Sequence, residues 1–317
     1  MSQGLTLRIA LLLTVPPLLW AANTVVGRAL VGSVPPLVLN GMRWSLALLL
    51  LLPLGWRVFR DPRAITERWP HLALLGLLGV GSYNALQYLA VQTSTALNVT
   101  LIAASSPVWM LLVGLVFYGE RPSPRAMAGA VLSLLGVLLV ISRGSMQTLL
   151  QVRLVPGDLY ILLAIALWAG YSWLLARPPA SMRPGQRPDW DWAEFLLVQV
   201  VFGASFALLA AGVESAVQPA PIVWTPWVVL ALIYLAIGPS ILAYRCWALG
   251  VATVGPAVAA FFTNLTPVFA ALMSAAVLGE APRWYHVGAF ALIAAGIFVS
   301  APRRQATAAG PDQKVPG

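Results

Sequence analysis

The sequence predicts an all-α integral membrane protein, with ten transmembrane helices arranged as two inverted-topology five-helix repeats. Three observations carry this. The chain is 60% hydrophobic and only 9% charged, whereas soluble domains carry about 25% charged residues. A water-soluble protein of 317 residues could not cover its surface with so few charges, and lipid is the solvent that suits the composition. Apolar runs of spanning length then follow one another with short connections. Finally, the sequence matches itself without a gap when shifted by 160 residues.

A spanning helix needs about 20 apolar residues, and the runs lie near 7–30, 35–55, 71–92, 95–118, 125–142, 157–176, 194–212, 227–248, 255–278 and 284–301. The first follows Arg8 as a signal peptide would. It continues through Val25 and Val26 to Leu30, however, so it reads as a retained helix, carrying Pro16, Pro17, Trp20 and Asn23. The longest connections are 56–70 and 177–193, the latter irregular because it holds Pro178, Pro179, Pro184 and Pro188. Residues 303–317 are polar and small and read as a disordered tail.

Charge gives orientation. With the N-terminus inside, thirteen Lys and Arg residues fall on the cytoplasmic side and four, Arg28, Arg143, Arg153 and Arg283, on the other. That bias puts both termini in the cytoplasm of a cell (inner) membrane protein. The formal charge of +9 is therefore topogenic and implies no nucleic-acid partner, since the arginines sit between apolar runs and the one lysine is Lys314. Cys246 is the sole cysteine, and His71 and His286 each begin an apolar run. No metal or other cofactor is expected.

The repeat aligns Leu89–Gly136 with Leu249–Gly296, pairing Pro107 with Pro267, Gly119 with Gly279, Glu120 with Glu280 and Pro122 with Pro282. Near the start of each half Leu19-Trp20-Ala21 echoes Leu167-Trp168-Ala169 at a shift of 148. Five helices is an odd number, so the second copy (155–302) enters from the opposite side to the first (1–145). Such repeats are common in secondary transporters, with the substrate near the midplane where the copies meet.

These motifs, with Met42-Arg43-Trp44 and Ala90 to Ala96 leading through Pro107 to Gly119-Glu120-Arg121-Pro122, resemble the EamA-type unit of the drug/metabolite transporter superfamily over nearly the whole chain. The resemblance implies a central cavity, alternating access and cargo such as amino acids, other small metabolites or drugs, often moved outward. In the second half no arginine matches Arg43, and Gln199 is the nearest polar residue.

Polar residues in lipid need a reason. Arg43 either meets an anionic group such as a carboxylate or binds helix-end carbonyls, and Arg245 reaches the cytoplasmic interface. Asn84, Gln87 and Tyr88 form one helical stripe, Asn98, Ser105 and Trp109 another, Ser240, Tyr244 and Trp247 a third. Thr263, Asn264 and Thr266 precede Pro267. Each stripe either lines a wet cavity or bonds between helices, and Tyr244 and Trp247 also suit an interfacial belt. Trp20 with Asn23 and Trp168 with Tyr171 occupy equivalent positions and would build a cavity wall or a packing contact. Pro107 and Pro267, read as lying well inside helices, are candidate hinges. Glu120, Glu280 and Asp158 read as helix-start acids.

The reading is thus a carrier by uniport or exchange for small metabolites such as amino acids. A drug efflux carrier and a membrane-embedded lipid-modifying enzyme are the alternatives. The partners expected are a small-molecule substrate and the bilayer, for a monomer or homodimer. No Asp or Glu falls in the middle of a span, where proton and sodium carriers place ionisable groups. Uptake into vesicles should therefore persist when a protonophore is added, and a collapse of uptake would establish proton coupling.

Overall fold

Proline opens many of these helices, because the N–H it lacks belongs to a first turn that has no intrahelical partner for it. The structure, a computed structural model, describes residues 5–94, 99, 102–151, 154–278 and 283–300. Its principal helices are α1 Leu7–Ala29, α2 Pro36–Gly55, α3 Trp69–Thr93, α4 Ser106–Tyr118, α5 Pro124–Ile141, α6 Pro156–Ala176, α7 Trp192–Val217, α8 Pro226–Val254, α9 Pro256–Thr263, α10 Thr266–Leu278 and α11 Trp284–Ser300. The described residues contain no strand. Six of the helices (α1, α2 with its extension to Arg60, α3, α6, α7 and α8) are long and apolar enough to cross a membrane, and the others are shorter apolar helices. Asn98, the motif at residues 279–282 with Glu280, and the tail at 303–317 lie outside the described residues.

The helix ends follow capping chemistry. Asp191 accepts from the Ala193 and Glu194 N–H groups at 2.7 and 2.9 Å, and Glu194 accepts in return from the Asp191 N–H at 2.8 Å. Asp158 caps its own helix by accepting from the Val155 N–H at 2.8 Å. The start of α2 has no cap of its own, and Glu214 of α7 accepts from the Leu37 and Val38 N–H groups, both at 2.9 Å. Glu120 does not take the helix-start role expected of it. Ser123 caps α5 through the Ala126 N–H at 3.1 Å, and Glu120 pairs with Arg177 on the surface.

Two kinds of irregularity interrupt the helices. The first is a matched pair of breaks. The sequence places Pro107 and Pro267 inside helices, but each stands at the second position of a helix that restarts after a two-residue turn, Ala104–Ser105 and Asn264–Leu265. A proline in mid-helix lacks a donor and clashes with the carbonyl four residues back, so the chain stops and restarts. Hydroxyls cover the carbonyls left near each break: Ser105 donates to Ile102 and Thr263 to Ala260, both at 2.6 Å. The second irregularity is a pair of seven-residue π-helical segments, Gly76–Ser82 in α3 and Ala236–Leu242 in α8, opening 160 residues apart. The first is glycine-rich. The second contains Pro239, which has no N–H for the Leu235 carbonyl, and Ser240 Oγ donates to that carbonyl at 2.7 Å.

Small residues let helices approach closely. A methyl added at Gly129 of α5 would lie 2.7 Å from the Gly296 carbonyl oxygen of α11, and one added at Gly296 would lie 2.7 Å from the Gly129 carbonyl oxygen. In lipid such van der Waals contact between backbones replaces the hydrophobic drive between helices. Gly129→Ala should therefore lower stability by about 1–3 kcal/mol, read as a lower unfolding midpoint in detergent. Gly212→Ala, where nothing lies within 4 Å, should be neutral or stabilising by up to about 1 kcal/mol.

Candidate functional site

Arg43 lies in the first half of α2 and is fully buried. Its Nε donates to Ser240 Oγ at 2.7 Å. Its Nη1 donates to Asn84 Oδ1 at 2.8 Å, Tyr88 OH at 3.0 Å and Asn23 Oδ1 at 3.2 Å, three acceptors for two protons. Nη2 has no partner among the described residues. Arginine keeps its charge in proteins, and none of these partners is a carboxylate. The result is a buried cation solvated by neutral dipoles from α1, α2's neighbours in α3, and α8, with a donor to spare. Tyr88 OH donates onward to Asn23 at 3.1 Å, Asn23 Nδ2 to Gln87 Oε1 at 3.5 Å, and Gln87 Nε2 to Thr24 Oγ1 at 3.2 Å. Asn40 Nδ2 donates to the Gly81 carbonyl of the π segment at 3.2 Å.

Beside this network lies a layer of aromatic rings centred on Trp168. Trp20, Tyr83, Tyr171, Tyr244 and Trp247 all have ring centroids 5.0–5.5 Å from it. Trp20 and Trp168, equivalent in the repeat, meet edge to face at 5.2 Å. The polar tips of the rings are tied to backbone: Tyr244 OH donates to the Gly79 carbonyl, and Trp20 Nε1 to the Pro239 carbonyl at 3.3 Å. Gly79 and Pro239 occupy matching positions in the two π segments, so each half's ring holds the other half's irregular helix. Gly79 is required here, because a methyl on it would lie 2.6 Å from the Tyr171 ring. Tyr171 OH donates to Gln199 Oε1 at 3.1 Å, a neutral counterpart of the Asn23–Arg43 bond in the first half.

Two cavities flank the layer. The first, about 70 Å³, is lined by Trp20, Thr24, Tyr83, Gln87, Val99, Ser106, Ile161, Ile165, Trp168, Thr263, Asn264 and Pro267 among others. The second, about 390 Å³, is lined by His71, Tyr171, Leu174, Leu175, Arg187, Trp190, Trp192, Gln199, Tyr244 and Arg245 among others. Along α6 the first cavity touches Ile161, Ile165 and Trp168 and the second touches Tyr171, Leu174 and Leu175. At 1.5 Å rise per residue these contacts run over roughly 20 Å, so the cavities occupy opposite ends of the helix with the rings between them.

The expected site residues thus separate into three groups. Trp20, Gln87, Trp168 and Asn264 line the first cavity, and Tyr171 and Tyr244 the second. Asn23, Arg43 and Asn84 bond to one another in the buried network. Tyr244 and Trp247 are buried in the ring layer, their rings packed against Trp168. Arg245 is exposed, its guanidinium 4.1 Å from the Trp192 ring centroid. Sequence reasoning left out Ser240, Thr24 and Ser133 as partners. Ser240 was visible in the α8 stripe, but nothing in the sequence pointed it at Arg43.

Comparison with known proteins identifies the family. The EamA-like transporter family matches twice, over residues 7–142 and 155–301. The chain belongs to that family. An uncharacterized transporter of Archaeoglobus fulgidus is 28% identical over 292 residues, covering 92% of this chain and 96% of the relative. The aromatic amino acid exporter YddG of Ancylobacter novellus is 25% identical over 289 residues, covering 89% and 93%. A solved crystal structure superposes with a TM-score of 0.70 at 23% identity, covering 92% of this chain and 96% of that one, a likeness of fold. As an EamA-like transporter the chain is a multi-pass membrane protein.

A hydrogen bond to a charged group contributes about 1.5–3 kcal/mol. Asn84→Ala, which removes the shortest Nη1 bond, should cost about that much in denaturant titrations followed by tryptophan fluorescence. Arg43→Lys should cost more, because a single ammonium cannot reach Ser240 on one side and Asn84 with Tyr88 on the other.

Proposed function

We propose that this EamA-like transporter crosses the cell (inner) membrane ten times as two inverted repeats, residues 1–145 and 155–302, with both termini in the cytoplasm. On this reading it exports small metabolites such as amino acids, by uniport or exchange through alternating access. One observation carries the mechanism: two cavities at opposite ends of α6 are separated by a single layer of aromatic rings. Moving that layer by one side chain's length exposes cargo to one side or the other without opening a continuous pore. The matched breaks before Pro107 and Pro267 supply hinges at the wall of the first cavity, where the arms of an interrupted helix turn with little loss of hydrogen bonding.

The six long apolar helices and the four shorter ones, α9 and α10 counted as one interrupted helix, support ten crossings, and the spacing of 160 between the π segments supports the repeat. A relative that exports aromatic amino acids supports cargo of that class. So does Arg43, whose uncompensated charge lies one hydrogen-bond chain, through Asn23 and Gln87, from the first cavity. A positive field at that place favours a carboxylate and disfavours a free cation. The transporter uses no cofactor and works as a monomer or homodimer.

Reconstitution in liposomes with a panel of labelled amino acids tests the reading. Counterflow of at least one amino acid is expected, saturable and dependent on protein. A flat response across the whole panel would exclude amino acids as cargo.

A further inference from the structure

The first cavity is built where both interrupted helices meet. Ser106 comes from the break before α4, and Thr263, Asn264 and Thr266 from the break between α9 and α10. Asn264 is 1% exposed. Its Nδ2 donates to Ser133 Oγ at 2.8 Å, and its Oδ1 has no partner among the described residues. A buried amide oxygen left without a donor is unfavourable, and in lipid no water supplies one from the hydrocarbon.

The surroundings of that oxygen share its preference. It stands at the C-terminal end of α9, where the helix dipole is negative. Pro267 has no N–H to offer the Thr263 carbonyl four residues earlier. The rings of Trp20, Tyr83 and Trp168 line the same cavity, and aromatic faces attract cations. On this wall an acceptor, a helix C-terminus and ring faces come together, all of which suit a positively charged N–H donor. Gln87 also lines the cavity and leads through Asn23 to Arg43, which suits a negative group. The two chemistries lie on the walls of one cavity.

We infer that Asn264 Oδ1 receives the protonated α-amino group of the cargo, so that the first cavity selects zwitterionic amino acids over the corresponding carboxylic acids. Ser133 is a positioning residue: its hydroxyl takes the Asn264 amide nitrogen and leaves the oxygen as the end still to be satisfied. This inference rests on the reading of the chain as an amino-acid carrier, and it goes further by specifying which end of the molecule is recognised and where.

The test uses the full chain in proteoliposomes. Half-inhibiting concentrations are measured for L-alanine and L-phenylalanine against their desamino counterparts, propionate and 3-phenylpropionate. The wild type should prefer the amino acid by about tenfold or more, the size of one hydrogen bond to a charged group. Asn264→Ala should weaken the amino acid by about the same factor and leave the desamino acid unchanged. Asn264→Asp, which keeps an acceptor and adds charge, should retain the preference. Equal inhibition by amino and desamino acids in the wild type would overturn the inference, as would Asn264→Ala weakening both alike. If Asn264→Ala does not fold, the wild-type comparison and Asn264→Asp still decide. If the wild type transports desamino acids and is inhibited by them, but not by amino acids, the inference and the amino-acid reading fall together. Amino-acid transport without preference overturns the inference alone.

Discussion

Lipid donates and accepts no hydrogen bonds, and the rest of this structure depends on that constraint. A regular helix meets it by itself. The two helix breaks and the two π segments do not, because each releases carbonyls from the ladder. Side chains nearby or opposite take six carbonyls at these places: Gly79 by Tyr244, Pro239 by Trp20, Gly81 by Asn40, Leu235 by Ser240, Ile102 by Ser105 and Ala260 by Thr263. Irregular backbone at membrane depth is tolerated where protein buries it or where it lines a cavity, and both conditions are met around the ring layer.

The same constraint explains how Arg43 is kept. An arginine at the centre of a span costs roughly 2.5–3.5 kcal/mol on insertion scales. Four neutral oxygens from three other helices offset part of that. One of them, Ser240, also donates to the Leu235 carbonyl that Pro239 cannot reach, so the serine that repairs the helix also holds the charge. The aromatic layer is fastened by the carbonyls of the same π segments. Charge, rings and helix irregularities therefore form one connected arrangement.

Much of the fold was legible in the sequence, and less of the site. Hydropathy placed the helices, and the 160-residue shift pointed to the matched prolines at 107 and 267. What it missed has a common cause. Periodicity tells which residues share a face, not what that face meets. Asn84 and Gln87 stand on one stripe, yet Asn84 bonds Arg43 while Gln87 reaches the cavity. The prolines read as kinks because a kink and a break have the same sequence, and the turns at Ala104–Ser105 and Asn264–Leu265 appear only when the backbone is seen. The π segments lie outside the stretch of clear sequence identity, since Gly76–Ser82 and Ala236–Leu242 share a backbone form through different means, glycine in one and proline in the other.

The reciprocal contact of Gly129 with Gly296 also bears on biogenesis. The two glycines are backbone neighbours in space and 167 positions apart along the chain. At synthesis rates of about 5–20 residues per second, the ribosome makes Gly296 roughly 8–33 s after Gly129. Through that interval the close-packing face of α5 has no α11 to meet, and α11 is the last described helix to be made. The pair therefore forms only after nearly all of the described residues have been made, and until then the first half must hold its shape without that contact.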